Sequence, residues 1–341
     1  MAPHSGALPE SERAGMSDRY CRQTILPEVG EAGQARLRDA CVLVVGAGGL
    51  GSAVLQYLCA AGVGALVIVD SDVVEESNLH RQPIYRMEDV GLLKAQAARA
   101  ALLSLNPRIR IEAVCKCLTP SNVAELVAEA DVVVDAADSF AVTYIVSDEC
   151  HRANKVLVSA SVLGLSGYIG AFCGGAPSYR AVFPEMPRQA GSCAQSGVLG
   201  TAVGVVGTLQ AHTVLRLLLG LQPSALGQLI TVDLRTLRFG GFSFAAAHEP
   251  GEGALPFISA DQVAESDVVI DLRSVTEAPA SAFATAIRMD VAALERAEAE
   301  TRFLPESRVV LCCRTGVRAW RAARLLQNRG HMNVALIALG G

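Results

Sequence analysis

The run Gly46-Ala47-Gly48-Gly49-Leu50-Gly51 constrains this chain more than any other feature of its sequence. It follows the apolar stretch Cys41–Val45 directly and opens a helical pattern over about Leu50–Ala61, after which comes a second apolar stretch, Ala65–Val69. Strand, glycine turn, helix and strand in that order make a right-handed βαβ unit. Glycines at such a turn let the backbone approach a phosphate, and the helix N-terminus presents free N–H groups to it. Asp70 ends the second strand, placed to bind ribose hydroxyls. By itself the constellation reads as a nucleotide site, with NAD as the default ligand.

The alternation continues. Helical Leu92–Leu105 leads to a strand at Arg110–Val114, helical Asn122–Ala128 to one at Val132–Ala136, and helical Val142–Ala153 to one at Val156–Ala160. This predicts a Rossmann-like α/β fold with a doubly wound, mostly parallel sheet. Tyr168–Cys173 reads as a further strand, Pro177–Ser192 has no regular period, and Val198–Leu219 reads as a long buried helix. Strands near Leu229–Asp233 and Leu237–Phe239 then close a first domain, 19–240, behind a flexible tail, 1–18. Gly, Pro and Ala dominate 241–256, the composition of a linker. Beyond it, strands at Val268–Leu272, Val309–Leu311 and Val334–Ile337 and a helix at Arg318–Arg329 predict a second, smaller α/β domain over 257–341.

Composition narrows the function classes. At 341 residues and roughly 150 per domain, two domains are expected, and 51% hydrophobic residues suffice for a core in each. Lys and Arg number 29 against 34 Asp and Glu, a net charge of −5, with no basic run; direct binding to nucleic acid is not expected. The mean hydropathy of +0.35 is high, yet the uncharged stretches Cys41–Val69 and Val156–Tyr179 are broken repeatedly by glycine, so buried strand, turn and helix are expected rather than a membrane span. The first twenty residues hold no apolar signal core, and none of the ten cysteines stands in a C-x-x-C spacing. Reduced thiols in the cytoplasm and no zinc site follow as expectations.

Between Asp70 and the next helix the sequence turns away from a dehydrogenase. Asn78 and Arg81, in Ser77-Asn78-Leu79-His80-Arg81-Gln82, and Lys94 bring an amide and two cations close in sequence to the glycine turn. NAD carries two phosphates already served by the helix N-terminus, whereas additional cations suit a triphosphate whose leaving pyrophosphate gathers charge.

RYCRQTIL (19–26), VLVVGAGGLGSAVLQYLCAAGVG, VDSDVVEESNLHRQ, VGLLKA and VVDAADS resemble the MoeB/ThiF adenylyltransferases, relatives of the ubiquitin-activating enzymes. The resemblance runs from about Arg19 to Phe239 in one order and spacing. It implies Mg-ATP-dependent adenylation of the C-terminal glycine of a ubiquitin-like Gly-Gly sulfur carrier protein. It also implies Gly46, Gly48, Gly49 and Gly51 under the phosphates, Asp70 on the ribose, Asn78, Arg81 and Lys94 around the phosphates, and Asp138 as the magnesium ligand. By the same resemblance Arg22 reaches into a partner subunit's ATP site, which makes the enzyme a homodimer.

Two cysteines stand out. Cys193, in GSCAQSGVLG, approaches a helix start, where a thiol gains thiolate character; the resemblance makes it the acceptor on a crossover loop. Cys313-Arg314-Thr315-Gly316-Val317-Arg318 follows a strand and opens a helix, which would set a thiolate in a cradle of N–H groups closed by an arginine. That segment resembles the active loop of rhodanese domains, with Cys313 carrying persulfide sulfur and Arg318 steadying the loop, and Asp271-Leu272-Arg273 resembles that domain's first strand. The implied sulfur donor is a cysteine desulfurase or thiosulfate.

The sequence also departs from these patterns. Ser178 and Ala181 stand where most adenylating relatives carry the first zinc-binding C-x-x-C pair, so packing alone is expected to hold that region. Ser139 replaces the usual Asn after Asp138, and TEAPASAFATAIRMD replaces the usual Gly-His-Ile-Pro-Gly-Ala stretch of a rhodanese. Two other functions remain open at this level: a nucleotide-binding scaffold whose degenerate rhodanese part docks a partner, and an NAD oxidoreductase, for which no hydride-transfer residues are evident.

Overall fold

The structure, a computed structural model, describes residues 19–187, 197–251, 253–295 and 307–340. Its larger sheet has eight strands in the order β3-β2-β1-β4-β5-β6-β7-β8. These are β1 (Cys41–Val45), β2 (Ala65–Val69), β3 (Arg110–Val114), β4 (Val132–Asp135), β5 (Val156–Leu163), β6 (Ser166–Cys173), β7 (Gln228–Asp233) and β8 (Arg238–Ser243). The first five pair in parallel, with Val44 opposite both Ile68 and Val134, and the remaining pairings are antiparallel. The order reverses at β1, between β2 and β4, and such a switch point opens a crevice at the strands' carboxyl ends.

Strand β1 reads CVLVV without polar alternation because both of its faces are covered. Val42 and Val44 join one core with helices α1 (Gly30–Asp39), α2 (Gly49–Ala61) and α3 (Lys94–Leu105) and the long helix α7 (Gly200–Leu219). Leu43 and Val45 point to the other face, under α4 (Val123–Ala128) and α5 (Phe140–Arg152). A short helix, α6 (Tyr179–Val182), precedes α7. Helix α7 is long and apolar enough to cross a membrane, but half of it is buried, and at Gly207 a Cβ would lie 2.8 Å from Leu50 O of α2. It is the core helix that the sequence predicts.

The second sheet has four parallel strands in the order β10-β9-β11-β12: β9 (Val268–Asp271), β10 (Ile287–Arg288), β11 (Val309–Cys313) and β12 (Val334–Ala338). Helix α8 (Val291–Glu295) precedes β11, and α9 (Val317–Asn328) crosses from β11 to β12. The two units share one apolar core. Tyr144 of α5, Phe172 of β6, Leu255, Ile270, Leu311, Trp320 and Leu336 all belong to it.

Two expectations are corrected here. Gly241–Ser243 complete β8 instead of starting a linker, and Phe244 and Leu255 in the stretch that follows are buried between the units. The region of Ser178 and Ala181 is also held by more than packing. The Ser178 hydroxyl and N–H both donate to Glu249 at 2.6 Å, and Arg180 forms a bidentate pair with Asp148 and donates to Leu255 O at 3.0 Å. The Arg180 guanidinium also lies 4.8 Å from the Tyr144 ring and 5.4 Å from that of Trp320.

Candidate active site

The glycine turn sits at the carboxyl end of β1. Gly46 has φ +97°, and a Cβ there would lie 2.7 Å from Ala136 O, so the backbone just past β4 leaves room for glycine only. Gly48 differs. The nearest atom to its missing Cβ is Gln82 Nε2 at 3.7 Å, and it faces an open cavity. It is also the N-cap of α2, with no side chain capping that helix, so the helix N-terminus is free for an anion. Gly51 does not line the cavity. Its Cβ would collide with Gly46 O, which makes it a packing glycine and corrects its expected place under the phosphates.

Acidic and basic groups arrive from the next two loops. Asp70 is fastened to the glycine turn: one oxygen accepts from Ala47 N–H at 2.7 Å, the other from Asp72 N–H at 2.8 Å. Burial pushes its pKa up, while these N–H bonds and the nearby Lys94 pull it back. Lys94 opens α3 with its ammonium nearly buried and 2.9 Å from Asp72 Oδ2. Asn78 is buried beside the cavity, and Arg81 is half-buried there, its guanidinium resting on Ser77 O and the His80 ring. Asp138, just past β4 and so across β1 from Asp70, is exposed and also lines the cavity, with no hydrogen-bond or ion-pair partner among the described residues.

Sequence reasoning missed three residues of this site. Gln82 was visible only as the last residue of SNLHRQ. It is buried on the wall next to Gly48, and its Oε1 has no hydrogen-bond partner among the described residues. Tyr85 ties the floor together, donating to Ala47 O at 2.7 Å and lying 3.3 Å from Lys94 O. Asp135 lies beneath the Asp138 loop at 1% exposure. It accepts from Ser159 Oγ at 2.7 Å and from Ala137 N–H at 3.3 Å, and burial raises its pKa to about 6.

These groups surround one cavity of about 690 Å³, within the range of small-ligand pockets. Gly46, Gly48, Gly49, Asp70, Asn78, Arg81, Lys94 and Asp138 all line it. Part of its wall comes from the second unit, through Phe257, Ile258, Arg314, Ala338, Leu339 and Gly340. Arg22 is exposed and stands outside this cavity. Cys193 falls outside the described residues, and α7 starts at Gly200.

The Cys313 loop has the expected position between β11 and α9 but a different state. Its thiol is fully buried, and Sγ accepts from Ala319 N–H at 3.4 Å. Arg318 reaches across to Leu272 O at 2.9 Å and pairs with Glu277, so it closes the loop onto the end of β9. The Glu277 hydrogen bond and the Cys313 sulfur both favour its charged form. Asp271 is buried at that strand end. Burial alone would raise its pKa, but bonds from the Arg273 guanidinium and backbone hold it well below the usual carboxylate range. Cys312 faces the other side, where burial pushes its thiol up to about 12. Cys59, Cys150 and Cys173 are buried packing residues.

Among curated proteins, the bovine (Bos taurus) "adenylyltransferase and sulfurtransferase MOCS3" is 48% identical over 218 residues, 63% of this chain and 48% of that protein. This chain thus spans about half the length of that relative. The "sulfur carrier protein adenylyltransferase" of Thermus thermophilus is 46% identical over 224 residues, 63% of this chain and 83% of that one. Among solved structures, E. coli MccB with ATP shares the fold at a TM-score of 0.58 and 21% identity, over 71% of this chain and 80% of that chain. The family model described as ThiF matches residues 20–253, which include every element from α1 to β8 and every cavity residue of the first unit, and the chain belongs to the ThiF family.

Proposed function

We propose that this chain adenylates the C-terminal glycine carboxylate of a ubiquitin-like Gly-Gly sulfur carrier protein with Mg-ATP, and that sulfur from Cys313 then converts the adenylate into a thiocarboxylate. One observation carries the reading. An uncapped helix N-terminus, Asn78, Arg81, Lys94 and the unpartnered carboxylate of Asp138 line a single cavity. The names of the bovine and Thermus relatives support it.

The chemistry asks for that charge pattern. A carrier carboxylate oxygen attacks the α-phosphorus and pyrophosphate leaves, so an anion must approach an anion. The α2 N-terminus, Arg81 and Lys94 offset the charge of the phosphate chain as the bond to pyrophosphate breaks. No general base is needed, because a glycine carboxylate is already ionised at neutral pH. Asp138 suits Mg²⁺: it is a single free carboxylate with no cluster of three or more metal-ligating side chains among the described residues, and magnesium commonly takes one or two carboxylates together with substrate phosphates and water. Bound there, the ion would neutralise phosphate oxygens. Asp70, fixed by two backbone N–H groups, keeps lone pairs for ribose hydroxyls.

In the second step a persulfide on Cys313 attacks the acyl carbonyl and AMP leaves, giving an acyl disulfide. The Cys193 thiolate then attacks the Cys313 sulfur, forming a Cys193–Cys313 disulfide and releasing the thiocarboxylate. Because Cys313 Sγ is buried, loading it with sulfur requires the loop to open. The exposure of Arg22 agrees with a reach into a second subunit of a homodimer, and the nine described cysteines, all free, agree with the cytoplasm.

Intact mass spectrometry of a panel of Gly-Gly-ended carriers, incubated with this protein, Mg-ATP and thiosulfate or a cysteine desulfurase, tests the reading. A carrier gaining AMP, or exchanging one oxygen for sulfur, is the expected result. Unchanged carriers in the presence of bound ATP would replace it with the nucleotide-binding scaffold.

A further inference from the structure

The nucleotide cavity lies between the carboxyl ends of two parallel sheets. From the first sheet come Gly46 after β1, Asp70 after β2 and Asp138 after β4. From the second come Arg314, directly after β11, and Ala338–Gly340 at the end of β12. The carboxyl end of a parallel sheet is where such folds place ligand-binding loops, and here two of these edges face the same space.

Arg314 is the second unit's cation in that wall. Its backbone is fixed, since its carbonyl accepts from Gly340 N–H at 3.0 Å. The loop that carries it is seated tightly on the first unit. At Gly316, with φ +82°, a Cβ would lie 2.9 Å from the Phe257 ring and 3.2 Å from Ala141 Cβ. Ala141 stands in the first turn of α5, three residues after Asp138, so the loop bearing Arg314 rests against the helix that follows Asp138, and both residues line the cavity. Its guanidinium is exposed and has no hydrogen-bond or ion-pair partner among the described residues. By contrast, the Lys94 ammonium is paired with Asp72, and Arg81 rests on Ser77 O and His80. An uncommitted guanidinium in the wall of a cavity that also holds a free helix N-terminus, Arg81 and Lys94 is a ready donor of charge-assisted hydrogen bonds to an anion.

We propose that Arg314 binds phosphate oxygens of the nucleotide, so that the loop bearing the Cys313 thiol supplies part of the ATP site. Adenylation and sulfur transfer then share one cavity, and the acyl-adenylate forms beside the loop that consumes it. This inference rests on the nucleotide reading of the cavity.

Calorimetric titration of the full chain with Mg-ATP, and separately with adenosine, tests it. Arg314→Ala should weaken Mg-ATP binding about tenfold or more, the effect of losing a hydrogen bond to a charged group, and leave adenosine binding within about twofold. Arg314→Lys should recover part of the loss, because a point cation keeps the charge without the fork. Equal weakening of ATP and adenosine at an unchanged melting temperature would place Arg314 elsewhere and overturn the proposal, as would unchanged ATP affinity. A wild-type chain that binds no Mg-ATP would remove the nucleotide reading itself. Wild-type binding with an indifferent Arg314→Ala would remove this inference alone.

Discussion

Replacing Asp135 with asparagine should change how the stability of this protein depends on pH. The side chain is buried at 1% exposure beneath the Asp138 loop, and burial raises its pKa from 3.8 to about 6 against the opposing hydrogen bonds from Ser159, Thr143 and Ala137. A carboxyl whose pKa is higher folded than unfolded holds its proton more tightly in the native state. Its contribution is therefore greatest below the unfolded value near 4 and is lost as pH rises through about 6. The difference between 3.8 and about 6 corresponds to about 3 kcal/mol at full ionisation, most of it developing between about pH 4 and pH 7. Asparagine keeps the shape and an acceptor for Ser159 but does not titrate. Whatever constant cost or gain it brings, the stability of Asp135→Asn relative to wild type should rise by about 2–3 kcal/mol across that interval. Urea denaturation followed by circular dichroism, run on both proteins at matched pH values, measures the slope directly. Parallel profiles would mean that Asp135 ionises normally, and the argument from its burial would be wrong.

Asp138→Asn should lower carrier-dependent ATP–pyrophosphate exchange by about a hundredfold or more while leaving the melting temperature in place, because the side chain is exposed. Gly46→Ala should destabilise by about 2–3 kcal/mol, since the new methyl would meet Ala136 O at φ +97°; a melting temperature within a degree of wild type would contradict the packing argument. Cys193→Ala should form the carrier adenylate yet release no thiocarboxylate, read by intact mass, and normal release would remove Cys193 from the second step. Trp320→Ala should cost about 3–5 kcal/mol, as its ring packs 4.8 Å from Tyr144 and its Nε1–H reaches Glu185; loss of the second unit's order with no change in the first would show that the shared core does not couple them.

The first half of the cavity was legible because its information is local. A strand, a glycine turn and a helix N-terminus fall within about 20 residues of one another, Asp70 ends the next strand, and Asn78, Arg81 and Lys94 follow within a short stretch whose motif resembles the MoeB/ThiF pattern. Asp135 and Asp138 sit in one short run, VVVDAADS, and sequence singled out only the second. What separates them is the pleat: Asp135 is the last residue of β4 and its register partner is Ser159, so it turns inward, whereas Asp138 lies beyond the strand and turns to the cavity. Gly51 was misplaced for a related reason. Glycine at a turn signals that some atom comes close, but the letter does not say whether that atom belongs to a ligand or, as here, to Gly46 O.

The misread linker follows from the same limit at longer range. Small and flexible residues between two domains are chosen either for freedom or for close fit, and composition is identical in the two cases. Between β8 and β9 the deciding residues are few: Phe244 and Phe257 buried at the ends, Leu255 between them, and Glu249 holding Ser178 across 71 positions of sequence. Each contact is made with a residue far away in the chain, so no window of sequence contains both partners. The consequence reaches the active site. A mobile tether would leave the Cys313 loop free of the cavity, whereas a strap pinned by buried Phe244, Leu255 and Phe257 places Phe257 against Gly316 and Arg314 in the cavity wall. The distribution of charge around the cavity is therefore a property of how the two units pack, and it is fixed by apolar residues that carry no charge themselves.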